Sequence, residues 1–254
     1  MDSIALKIKR AAQHLEAIKD AIAHDVARYG DSFIVKSQGK ETVDLPEPDP
    51  DISVLAGEFI YQLRSSLDHL AFDLVNVNRA GIALPLKWEE NCMFPIWANP
   101  LKQGQMAPLP YGAFQNLPGI PNDAHTIIER VQPYYPIGSA NTALQLLNAL
   151  SNIDKHRRLA LTRSRAQVFH NVTYQSGVTT ASLTTLDHGA EVPAPYIGED
   201  DPIVDMQRSA TLAIAFDERE ALGDATLVGI YDLLEGILSD VLLKIVDPLR
   251  LFLN

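Results

Sequence analysis

The chain has 254 residues, 46% of them hydrophobic and 21% charged, values of an ordinary folded protein that exclude disordered and collagen-like chains. Its single cysteine, Cys92, excludes an internal disulfide and any zinc site built from two or more thiolates, and favours a reducing compartment. The net charge is −11, and residues 181–254 alone carry four basic and fourteen acidic groups; such acidity disfavours non-specific nucleic-acid binding, which depends on neutralising phosphates.

The opening MDSIALKIKR contains no apolar run of signal-peptide length. Ile4, Ile8, Ala11, Leu15, Ile18, Ile22 and Val26 recur at steps of three and four, predicting a first long helix over about 1–30 with Gly30 as its stop. Residues 33–43 read as a hairpin with Gly39 in the turn. In LPEPDPD, Asp49-Pro50 reads as an N-cap followed by proline at the first helical position, opening a second helix over about 50–80 with Gly81 just past its end.

Residues 82–138 are proline-punctuated and irregular, with Phe94-Pro95-Ile96 their most apolar point and a short helix at 122–131. A third long helix is expected over about 140–158 after Gly138-Ser139. The period then changes: LALTRSRAQ, NVTYQSG, TASLTTL and the alternating Leu212, Ile214 and Phe216 predict a β insertion over about 159–218, with the acidic loop GEDDP at 198–202 before its last strand. Gly223-Asp224 would open a fourth helix over about 224–253, kinked or ended by Pro248. Charges at Glu235, Asp240, Lys244, Asp247 and Arg250 exclude a membrane span there. The expected fold is α+β and mainly α: one domain, 1–254, a four-helix bundle with a small antiparallel sheet inserted between the third and fourth long helices. The expected setting is the cytoplasm.

The second helix is apolar nearly all round, with Ile60, Leu63, Leu67, Leu70 and Leu74 on one face and Tyr61, Phe72 and Val75 on the other. It nonetheless carries Arg64, Asp68, His69 and Asp73. Buried charges require partners; Arg64 and Asp68, four apart, can pair along the helix. The third helix ends in a second polar run, with Asn148, Asn152 and His156 in a row beside Asp154, Lys155, Arg157 and Arg158. Facing each other, the two runs would form one cleft. Lys155, Arg157, Arg158, Arg163 and Arg165 read either as a solvated helix end and strand or as an anion site.

LRSSLDHLAFDLV at 63–75, Phe-Pro-Ile at 94–96 and LNALSNIDKHRRL at 147–159 resemble a widespread family of uncharacterised bacterial proteins, which brings no activity with it. The sequence also bears a distant resemblance to the HEPN (higher eukaryotes and prokaryotes nucleotide-binding) superfamily of helical bundles, whose signature is an arginine, four to six residues, then a histidine; Arg64 and His69 fit with four between. That resemblance implies metal-independent RNA cleavage in a homodimer. His69 would be the acid or base and Arg64 would stabilise the scissile phosphate; beside them, Lys155 is expected to stabilise phosphate charge, Asp68 to hold Arg64 or His69 in place, and His156 to join the catalytic group. Asn152, Asp154, Lys155, Arg157 and Arg158 would bind RNA or nucleotide, with no cofactor. The chemistry suits the residue types, since histidine titrates near working pH and arginine grips phosphate with two bonds.

Two other readings of the same residues stay open. In one, the polar residues form a satisfied buried network that fixes helix packing, and the chain is a non-catalytic module that binds a nucleotide, another anion or a protein. In the other, His69 and His156 recruit a metal, although adjacent Asp68 and His69 lie about 100° apart on a helix and cannot easily converge on one ion. No phosphate loop, dinucleotide fingerprint or hydrolase elbow is present. His14, His24, His125, His170 and His188 read as scattered and exposed, and Cys92 as an ordinary buried thiol.

Overall fold

The computed structural model describes residues 2–29, 34–37, 40–77, 92–97, 117–135, 139–187, 189–193 and 202–253. Helix α1 (Ser3–Tyr29) buries Ile4, Ala11, Leu15 and Ile18 along one stripe and packs lengthwise on α2 (Pro50–Val77). Pro50 begins α2, and the Asp49 carboxylate accepts the Asp51 N–H at 2.9 Å, so the cap read from the sequence forms. A short α3 (Asn122–Arg130) follows, and then α4 (Ser139–Asp154), which lies against both α2 and α6 (Ile230–Val241). Leu144, Leu147 and Leu150 of α4 are fully buried beside Leu63, Leu67 and Leu70 of α2 in the large core.

Five strands form two antiparallel sheets. β1 (Ile34–Ser37) and β2 (Lys40–Val43) make a hairpin; β3 (Leu161–Tyr174), β4 (Thr179–Leu186) and β5 (Ile203–Phe216) make a sheet of order β4-β3-β5. The turn between β3 and β4 needs Gly177, whose φ of 83° is costly for a residue with a Cβ. Val43, Val168, Leu186, Val192 and Leu212 form a second, smaller core. Backbone bonds join the hairpin to the segment after β4: Val43 N–H donates to Ala190 C=O at 3.0 Å, and Val192 N–H to Glu41 C=O at 2.8 Å.

These connections overturn the expected four-helix bundle with one sheet inserted between its third and fourth long helices. The described residues hold six helices, counting the run from Ile230 to Arg250 as one, and two sheets. The hairpin ahead of α2 bonds to residues 190–192 and shares their core, so the β layer is assembled from both sides of α2. The fourth long helix does not start at Gly223-Asp224. A one-turn α5 (Arg219–Leu222) ends at Gly223, with φ 55°, and a 3-10 turn (Gly223–Leu227) separates it from α6. Pro248 neither ends nor breaks the last helix. A π turn (Leu242–Val246) precedes it and the helix resumes over Asp247–Arg250; the wider turn accommodates the missing proline N–H.

The residues expected as stops and turns at Gly30, Gly39, Gly81 and Gly138, and most of the 198–202 loop, lie outside the described residues, as do His188 and all of the irregular segment except 92–97 and 117–135. Among the described residues no helix is long and apolar enough to cross a membrane.

Candidate functional site

Arg64 and Asp68 pair as their spacing suggests, at 3.3 Å, with side chains 16% and 29% exposed. Both are engaged by the backbone of one residue outside the helix. Arg64 Nη2 donates to the Phe94 carbonyl at 2.9 Å, and the Phe94 N–H donates to Asp68 Oδ1 at 2.9 Å. The clamp fixes the Phe94 ring, 1% exposed, in the large core. Burial lowers the Arg64 pKa, with Asp68 opposing, and Nη1 is buried without a hydrogen-bond partner. Cys92, two residues before Phe94, is buried, and burial followed by the charge of Asp68 pushes its thiol up to about 11, the behaviour of an inert thiol.

His69 is not part of this clamp. Five residues along a helix turn a side chain by about 140° relative to the first, and His69 Nδ1 lies 2.9 Å from Ser3 Oγ at the start of α1. The Asp73 carboxyl, one turn further along α2, is pushed up by burial, with His69 opposing and Asp2 adding to the rise. The arginine and histidine of the sequence signature therefore face different elements.

The polar end of α4 is a third location. Asp154 packs on α2 at Gly57, where a Cβ would fall 2.5 Å from Asp154 Oδ1, so glycine permits the approach and burial raises the Asp154 carboxyl. Gly57 precedes His69 by twelve residues, about 18 Å of helix at 1.5 Å each. The two polar runs of the sequence do not meet in one cleft. Asn152, Lys155, His156, Arg157 and Arg158 are exposed. Arg157 makes two bonds to buried Glu218, at 2.7 and 2.6 Å. Burial pushes Glu218 up, but Arg157 and the Ala160 N–H outweigh it and hold the carboxyl below its usual range.

Two groups depart from the sequence reading: Arg163, read as a solvated or anion-binding cation, and His170, read as exposed, are both buried. Arg163, whose side chain is 1% exposed, pairs with Asp25 of α1 at 2.5 Å, lies 4.6 Å from the centre of the Tyr29 ring and donates through Nε to the Pro46 carbonyl at 2.6 Å. The available signal was Asp25 itself, three residues after Ile22 in the apolar stripe of α1. His170 is buried, not exposed as expected; it stands opposite Arg208 of β5, which pairs with Glu41 of β2 at 2.5 Å. Burial, and then Arg208, lower its pKa, with Glu41 opposing. Strand alternation supplied the signal, because His170 falls between inward-facing Val168 and Val172.

A groove of about 790 Å³ runs between residues 45–50, Ser53, 158–163 and Asp217. It brings Arg158 beside Glu47, Asp49 and Asp217, a mixed lining. Among the described residues no three of His, Cys, Asp and Glu come together to hold a metal ion. No protein family, curated protein or solved structure matches this chain, and neither resemblance drawn from its motifs finds support there.

Proposed function

We propose that this chain is a non-catalytic, protein-binding module of the cytoplasm, in which Arg64 and Asp68 serve as a packing clamp. The observation that carries the reading is the bonding of both side chains to the backbone of Phe94, while His69 bonds Ser3 on another side of α2. Metal-independent RNA cleavage needs an arginine free to meet phosphate and a histidine within reach of the same reacting atoms. Anion binding is the weaker form of the binding reading. Arg157 and Arg163 are neutralised by Glu218 and Asp25, and the groove beside Arg158 carries three carboxylates. Exposed apolar side chains on the β layer, Phe169, Leu183, Val204 and Met206, favour a protein partner.

The test is incubation of the full chain with a mixed RNA pool, with and without chelator, beside Arg64→Ala and His69→Ala. The expected result is no cleavage by any of the three, with Arg64→Ala folded but destabilised and His69→Ala close to wild type in stability. Wild-type cleavage that survives chelation and disappears in both folded variants would overturn the reading.

A further inference from the structure

We propose that β4 is a self-association edge, through which two copies of this chain pair antiparallel about a two-fold axis at Leu183. The inference rests on the protein-binding reading above and names the partner. β4 is an outer strand of the sheet, and among the described residues Thr179–Leu186 make backbone hydrogen bonds only to β3. Outer strands of folded proteins are normally blunted by charge, proline or a bulge. The sequence TTASLTTL has no charge and no proline, and its pairing with β3 is unbroken over eight residue pairs. The opposite edge, β5, has such protection, with Asp205, Arg208 and two register shifts against β3.

A second copy fits this edge. Phe169 of β3 stands opposite Leu183 of β4, and they are 39% and 63% exposed on the outer face. With the axis at Leu183, the row continues through the partner's Leu183 to the partner's Phe169, so four apolar side chains lie side by side across a six-stranded sheet. Ala181 meets the partner's Thr185. The one charge in register, Asp187, meets the partner's Thr179, so two chains of net charge −11 touch along a strip that carries charge only at its two ends. Edge pairing over residues 179–187, nine from each copy, is a small interface, which makes the dimer concentration-dependent.

Sedimentation velocity of the full chain from low to high micromolar concentration is expected to show a monomer–dimer equilibrium. Leu183→Lys should remain monomeric with an unchanged circular dichroism spectrum, and Val204→Lys on β5 should associate like wild type. Leu183→Cys should give a disulfide-linked dimer under mild oxidation, because opposed residues of an antiparallel pair lie about 4.5–5.5 Å apart at Cα; Val204→Cys should not, and Cys92 is buried. A wild type that stays monomeric at high micromolar concentration overturns the proposal, as does a dimer that survives Leu183→Lys and leaves Leu183→Cys uncross-linked. These results leave the protein-binding reading standing, whereas RNA cleavage lost in both site variants would remove that reading whatever the oligomeric state.

Discussion

Arg64 and Asp68 hold the C=O and the N–H of one residue, Phe94, so their substitutions should be coupled. Arg64→Ala deletes a charge-assisted bond to the Phe94 carbonyl, worth roughly 1.5–3 kcal/mol. Part of this is returned, because burying a cation with one unbonded nitrogen is itself unfavourable; the net loss should be about 2 kcal/mol. Asp68→Ala removes the acceptor of the Phe94 N–H and leaves the Arg64 charge without its counter-ion, for about 3 kcal/mol. Once either change has freed Phe94, the other has less to lose, and the double variant should cost about 1 kcal/mol less than the sum. Urea unfolding followed by circular dichroism measures all four corners of the cycle. In a chain of this size each kcal/mol corresponds to about 2–4 °C of Tm. Single changes within about 0.5 kcal/mol of wild type, or strict additivity, would refute the clamp.

Asp25→Ala strands Arg163 in the protein interior and should cost about 3–5 kcal/mol; adding Arg163→Met should recover part of that loss in thermal unfolding. His170 holds its proton less tightly when folded than its ordinary value of 6.5. The unfolded chain therefore takes up the proton first, and stability present above pH 6.5 is lost as pH falls below it. Urea midpoints measured on both sides of that value should fall less in His170→Gln than in wild type. Cys92, with its thiol raised to about 11, should resist a disulfide reagent at mildly alkaline pH until the protein is unfolded, which a colorimetric time course with and without denaturant would follow.

Much of the helical layer is legible in the sequence, because a period of three and four over 27 or 28 residues has no competing reading. The start of α2 is legible for the same local reason: Asp49-Pro50 acts on its own neighbours. Long-range choices were not legible. Nothing local announces that β2 will bond to residues 190–192, and that pairing turns an expected appendage into a layer. Gly223-Asp224 reads locally as a helix start, which hides the short α5 before it and the 3-10 turn that follows. The polar residues followed the same division. The i, i+4 pair Arg64 and Asp68 was readable from spacing; their shared attachment to Phe94, and the separation of His69 from the end of α4, depend on how α2 meets other elements. Tyr61, grouped with the apolar residues of α2, is 62% exposed, with Lys7 standing 5.6 Å from its ring centre.

Strand β5 contributes to both hydrophobic nuclei: Leu212 to the small one, Ile214 and Phe216 to the large one. β3 follows it in register over most of that length. The helical layer and the β layer thus share a continuous two-stranded ribbon, and separating them requires stripping that ribbon along its length. In hydrogen exchange the β3–β5 amides should report the global opening of the molecule, while the outer amides of β4 exchange through much smaller fluctuations. The molecule should melt as one cooperative body, with its most accessible strand also its first to fray.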